Sequence, residues 1–275
     1  MTNSVHTNNS ALIALQNLNK TNDRLADVQN RVNTGLKVNG AKDNASIWAI
    51  AQGQRADMSA LSAVKMSLDR ATSVVDVALA GENISDLLNQ LKEKVVAATD
   101  ESLKTQSREL LDADFQAILR AIQQAAENAE FDGSNLLDGS LTNGIRFLAN
   151  AEADAFITLS SKDLSLSGSI ITITTSSNLQ TVTEANDVLA LLDASIDNLN
   201  SALGEMGSQG KQIAAHNTFV SKLQDTLETG IGNLVDADLA KESARLQALQ
   251  VQQQLGAQAL SIANQAPQII LSLFR

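Results

Sequence analysis

Apolar residues recur at spacings of three and four through most of this 275-residue chain, and proline occurs once, at Pro267. Proline is the strongest interruption of the helical hydrogen-bond ladder, so its near absence permits very long helices. Ala11, Leu18, Leu25 and Val32 recur at seven, and Leu15 and Val28 widen the same stripe, which predicts a helix from about Asn9 to Val32. After the connection TGLKVNGAKDN, Leu61, Val64, Leu68, Ala71, Val75 and Ala78 take up coiled-coil spacing, which restarts after Gly81 at Ile84, Leu88, Leu91, Val95 and Ala98. A third stripe runs from Leu111 through Phe115, Ile118 and Ile122 to Ala129 and ends in the turn-rich FDGSNLLDGS.

Between about 144 and 176 the pattern changes to short alternating or β-branched runs, GIRFLAN, AFITLS, LSLSGS and IITITTS, which predict a small β region. Helical spacing resumes at Val188, Leu192, Leu199 and Leu203, then Ile213, Val220, Leu227 and Leu234, and continues from Leu239 to Ala263. The expected fold is therefore mainly α. Long coiled-coil-like helices from both termini pack together, with a small β-hairpin region near 144–176, so the domains are discontinuous in sequence.

The formal net charge of −11 is unevenly spread: every charged side chain except Arg275 lies between Lys20 and Arg245. The first nineteen residues and residues 246–274 carry none, although they are rich in Asn, Gln and Ser. A lone solvated helix normally has a charged outer face, whereas one surrounded by protein avoids unpaired charge. One chain has too few other elements to enclose two such helices, and the tail IILSLF would expose an apolar patch on a monomer. Self-association through paired termini is the expectation, with a frayed polar tail as the alternative.

The excess of acid repels phosphate, which argues against a nucleic-acid or anionic-membrane partner. With no cysteine there is no disulfide framework, Cys-ligated zinc or thiol nucleophile. The opening MTNSVHTNNS lacks the charged and apolar regions of a standard signal peptide, and no run approaches the roughly 18 apolar residues of a membrane span. His6 and His216 sit in no HExxH motif, and His216 falls on the buried side of its helix, where hydrogen-bonded packing is its expected role. Asp112/Asp114 and Asp236/Asp238 are spaced by two and do not share a helix face, so neither reads as a carboxylate dyad; Asp236 is expected to support the start of the last helix. The glycines form neither GxGxxG nor a phosphate loop, and Trp48 is expected to anchor a helix interface. No catalytic, metal or cofactor residue is expected. Ser and Thr are dense from Thr158 to Thr183; β-propensity and loop chemistry account for them, and O-glycosylation at Ser165, Ser167, Thr172, Thr174, Ser176 or Ser177 is the functional alternative.

The ends also carry family motifs. TNNSALIALQNLNKTNDRLADVQNRVNTGLKVNGAKDNASIWAIAQGQRADMSAL resembles the N-terminal region of bacterial flagellins, NLVDADLAKESARLQALQVQQQLGAQALSIANQAPQIILSLFR resembles their C-terminus, and AEFDGSNLLDG is similar to their F-N-G-x-x-L-L-D-G turn. The resemblance covers most of residues 3–140 and 185–275. It implies a structural subunit that self-assembles into the flagellar filament for swimming and is not an enzyme. It implies an inner helical domain of residues 1–40 plus 236–275 and an outer helical bundle, 41–235, with a β insert at about 140–183. Inner-core assembly then falls to Leu12, Leu15, Leu18, Leu25, Leu246, Leu249, Leu255, Leu260, Ile270, Leu273 and Phe274. Only about 45 residues separate Gly139 from the returning helix, which implies a short form without large outer domains. Implied partners are further copies or other flagellins, hook–filament junction proteins, the filament cap and an export chaperone. The implied route is unfolded passage through the flagellar type III apparatus to an extracellular filament. Two departures stand out: NQLKEKVVA replaces the family's Q-R-x-R-E-L-A pattern read by innate-immune receptors, implying weak recognition, and Trp48 stands where small residues are common.

Overall fold

The computed structural model describes the backbone of residues 7–272 and the side chains through residue 265. Six helices and two short strand pairs make up the described residues: α1 (Asn9–Thr34), α2 (Ala45–Leu79), α3 (Glu82–Ala98), α4 (Thr105–Glu127), β1 (Glu130–Phe131), β2 (Ser134–Asn135), β3 (Ile145–Leu148), β4 (Phe156–Leu159), α5 (Val182–Val235) and α6 (Leu239–Ser272). The chain forms two compact units, one of residues 1–56 and 226–275 and the other of residues 57–225, with the division falling inside α2 and α5.

The unit of residues 57–225 holds the larger core. Leu68, Ile84, Leu88, Leu91, Phe115 and Ile122 are fully enclosed, so the three- and four-residue spacings read from the sequence do form one aliphatic interior. The break after α2 has a steric cause. A Cβ on Gly81 would lie 2.9 Å from the Ala78 carbonyl oxygen and 3.2 Å from Leu137, so only glycine lets the chain turn this close. The corner between α3 and α4 is closed by Arg108, buried in α4, whose guanidinium donates to the carbonyls of Ala98 and Asp100 and satisfies the end of α3. Buried Asn135 works likewise at the end of α4, donating to Ala126 and Glu127 carbonyls and accepting the Leu137 N–H at 2.7 Å.

β3 and β4 pair antiparallel, Ile145 opposite Leu159 and Leu148 opposite Phe156. Strand pairing is narrower than the β-like composition of 144–176. Residues 164–174 pair only at the isolated bridge Leu166–Ile171, because their backbone donors are scattered over separate acceptors: Leu164 N–H bonds the Leu137 carbonyl and Ser167 N–H the Ile173 carbonyl, while Thr172 N–H bonds Ser195 Oγ and Thr174 N–H bonds Ser177 Oγ. Leu164, Ile171 and Ile173 are nonetheless buried, so this segment seals the core as an irregular strap.

The unit of residues 1–56 and 226–275 has a small core of its own. Val38, Ala51, Ile231 and Val235 are buried, with Leu36, Ile47, Trp48 and Leu234 packed against them. Trp48 thus anchors a helix interface. Backbone bonds from the N–H groups of Lys37 and Val38 to the Val235 carbonyl tie the two chain segments together. Asp238, rather than Asp236, caps α6: its side chain accepts the Lys241 N–H at 3.1 Å and its carbonyl accepts the Glu242 N–H. Asp236 instead pairs with Leu36 in an isolated antiparallel bridge, two residues before the capping position.

Candidate assembly interface

The two terminal helices pair within one unit. Asn8 caps α1 by accepting the Ala11 N–H at 3.0 Å, and its amide nitrogen donates to the Ala263 carbonyl at 2.7 Å. Gly35, at φ 70°, ends α1 in the left-handed region with its N–H on the Arg31 carbonyl. Further along, Leu18 lies against Gly256, Gln253 donates to Asn22 at 2.9 Å, and Arg31 lies 3.9 Å from Glu242. Rising numbers on one helix meet falling numbers on the other, so α1 and α6 are antiparallel over roughly 35 Å at 1.5 Å per residue. The half-buried or buried positions make the seam: Ala11, Ala14, Leu18, Thr21, Leu25 and Val28 on α1, and Glu242, Leu246, Leu249, Gln253, Gly256 and Leu260 on α6. Both alternate steps of three and four, the spacing of a coiled-coil seam. At Gly256 an added Cβ would stand 3.2 Å from Leu18, so the glycine permits close approach.

Of the residues the sequence singles out for assembly, Leu18, Leu25, Leu246, Leu249 and Leu260 lie on this intrachain seam. Leu12, Leu15 and Leu255 do not; they are 52%, 43% and 57% exposed. The side chain of Ile270 and all of Leu273 and Phe274 lie outside the described residues. Ile13, Val251 and Ile262, outside that set, are also exposed. At 100° per residue, Val251, Leu255 and Ile262 fall within about 40° of one another and on the side of α6 opposite its seam. That offset from the seam was the available signal. α6 therefore has two apolar stripes, one used within the chain and one uncovered in it.

The charged end of the same helix pair holds a groove of about 450 Å³ lined by Arg24, Asp27 and Arg31 from α1 and Arg245 and Gln252 from α6. Glu242 is buried beside it, with Oε1 on Arg245 at 3.0 Å and Oε2 without a hydrogen-bond partner. A second groove, about 670 Å³, lies at the α3–α4 corner and includes Val96, Leu103, Leu110 and Asp100. The Ser102 backbone N–H and hydroxyl hold the Asp100 carboxyl below its ordinary range.

Among the described residues no group of three or more His, Asp or Glu side chains is placed to hold a metal ion. Asp112 accepts the Leu179 N–H, and Asp114 pairs with Lys94 at 3.1 Å. His216 Nε2 bonds the Ala149 carbonyl at 2.7 Å with its ring against Phe219, which ties the β3–β4 hairpin to α5. Among the candidate acceptor hydroxyls, Ser167 and Ser176 are exposed. Ser165 is engaged by Asp163, Thr172 by Leu191 and Ser195, and Thr174 by Ser176 and Ser177.

Residues 5–142 match the bacterial flagellin N-terminal helical region and residues 189–274 the bacterial flagellin C-terminal helical region. The chain is 55% identical to flagellin FljJ of Caulobacter vibrioides over 99% of this chain and 98% of that protein. It is 40% identical to a flagellin of Brucella melitensis over 99% of each. In fold it is similar to a putative flagellar hook-associated protein from Vibrio parahaemolyticus, at a TM-score of 0.54 and 13% identity, covering 70% of this chain and all of that one.

Proposed function

The chain belongs to the bacterial flagellin family, and from that premise we infer that it is a structural subunit of the extracellular flagellar filament, acting by self-assembly and not by catalysis. The observation that carries the mechanism is the second apolar stripe on α6, with Leu12, Ile13 and Leu15 on α1: apolar, uncharged and uncovered in the single chain. Fully burying one such side chain contributes about 1.5–3 kcal/mol, and every copy brings several. A heterologous contact that does not close on itself propagates as a helical filament.

In this reading residues 1–40 and 236–275 form the inner core of the polymer, with 41–235 outside it. Leu12, Leu15 and Leu255 meet other copies directly, while Leu18, Leu25, Leu246, Leu249 and Leu260 hold the helix pair that presents them; Ile270, Leu273 and Phe274 extend the contact. Export proceeds through the flagellar type III apparatus, and the finer partners are other flagellins, junction proteins, the cap and an export chaperone, with no role for nucleic acid or membrane. No described helix is long and apolar enough to cross a membrane. The exposure of Ser167 and Ser176 supports them as glycan acceptors ahead of Ser165, Thr172, Thr174 and Ser177; an intact mass of 29.1 kDa on native filaments contradicts modification.

The test is truncation. Deleting residues 246–275 leaves a folded, non-polymerising chain by circular dichroism and electron microscopy. Normal filaments from that chain refute the role given to the ends.

A further inference from the structure

Charge divides between the two units more sharply than between ends and middle. Residues 57–225 carry twenty-four acids against eleven bases, whereas residues 1–56 and 226–275 carry seven acids against nine bases. Within the second set, three arginines from two helices converge on the α1–α6 groove: Arg24, Arg31 and Arg245. Of the carboxylates near them, Glu242 is buried and Asp27 lines the groove. Glu242 Oε1 holds Arg245 Nη1 at 3.0 Å and reaches Arg31 only at 3.9 Å, while Arg24 forms no ion pair among the described residues. The cluster is thus partly fixed in place, and its three guanidinium groups face only two carboxylates, which leaves one positive charge uncompensated.

We propose that this groove is a carboxylate-binding surface for a second copy of the chain, occupied in the polymer by an Asp or Glu side chain from that copy's residues 57–225. Guanidinium forks match carboxylates in two-point hydrogen bonds, and Glu242 pre-orients one fork while leaving its other N–H groups available. Residues 57–225 are the source with acid to spare. Apolar stripes slide and rotate with little preference, so a charged contact at the edge of the apolar stretch adds register between copies. The assignment rests on the filament reading above.

The test uses full-length chain with Arg24→Lys, and separately Arg245→Lys, each keeping the charge and supplying an amine for zero-length carbodiimide coupling. Filaments copolymerised from nitrogen-15-labelled and unlabelled chains are coupled, digested and mass-mapped. Amide links of mixed isotopic origin from the introduced amine to an acid within 57–225 are expected in filaments and absent in monomer. No intercopy link, or intercopy links only to acids outside 57–225, overturns the proposal. Charge reversal by Arg24→Glu provides a second readout: its critical concentration for polymerisation rises about tenfold at low salt, and the rise shrinks to about twofold near 1 M, where the Debye length falls to about 3 Å. A defect equal at both salt concentrations, or none, also overturns it. A native chain that forms no filaments refutes the filament reading, whereas filaments lacking these links refute the groove alone.

Discussion

The α3–α4 pair and the α1–α6 pair are both built from aliphatic residues at steps of three and four, yet they are not equally finished. The seventeen residues of α3 fully enclose Ile84, Leu88 and Leu91, and α4 encloses Phe115 and Ile122. The twenty-six residues of α1 bury only Leu25 and Val28, and α6 through residue 265 buries only Glu242. The difference lies in what surrounds each pair, since residues 57–225 supply α3 and α4 with further elements, whereas the described residues of the terminal pair pack along their own seam. An amphipathic helix needs one covered stripe; a helix apolar on two sides needs two. In the proposed reading the terminal pair is therefore a half-built core that other copies complete.

The sharpest contrast comes from two leucine truncations. Leu88→Ala, in the enclosed core, should cost about 2–5 kcal/mol of monomer stability by denaturant unfolding. Leu255→Ala, 57% exposed, should change monomer stability by less than about 0.5 kcal/mol. In the polymer the order of interest reverses. Loss of a side chain worth about 1.5–3 kcal/mol when buried should raise the critical concentration of the Leu255 variant by about tenfold or more. Equal effects on monomer stability would erase the distinction between the two pairs.

Glycine offers a second comparison, because Gly144 and Gly35 share the left-handed conformation at φ 66° and 70°. A Cβ on Gly144 would lie 1.9 Å from the Leu159 carbonyl oxygen, whereas nothing stands within 4 Å at Gly35. Gly35→Ala should show only the conformational penalty, about 1–2 kcal/mol. Gly144→Ala should exceed that clearly in thermal unfolding and displace the β3–β4 hairpin, read as lost amide protection at Ile145–Leu148.

Two buried charges test the same point more gently. Arg108→Ala leaves the Ala98 and Asp100 carbonyls without their donor and should destabilise by about 1–3 kcal/mol. Glu242→Leu removes a carboxylate whose Oε2 has no partner, so monomer stability should be unchanged or higher, within about 1 kcal/mol by urea titration. The smallest effect belongs to the exposed Lys92–Asp193 pair, where Lys92→Ala should stay within about 0.5 kcal/mol.

Periodicity in the sequence carried the helices well, and α1 runs from Asn9 to Thr34 where heptads place it from about Asn9 to Val32. It carried the seam less well. Leu15 looks like a widening of that stripe, but the antiparallel partner admits Ala14 and Leu18 and leaves Leu15 half in solvent. Hydrophobicity records that a side chain is to be buried, not which chain buries it, so the seam and the uncovered stripe are indistinguishable until α1 and α6 are paired. The strap at 164–174 escaped for a related reason: its alternation is that of a strand, but its partners are scattered over α5, local hydroxyls and separate backbone carbonyls. Convergence of Arg24, Arg31 and Arg245 joins positions more than 200 residues apart and has no local signature.

Amide hydrogen exchange on monomer and filament tests the half-built core most directly, because helices with few buried contacts open locally at low free energy. Residues 9–24 of α1 and 246–265 of α6 should exchange readily in the monomer and gain at least about a hundredfold protection in the filament, while α3 and α4 are protected in both. Terminal helices already as protected in the monomer as α3 and α4, with no gain on assembly, would contradict the account.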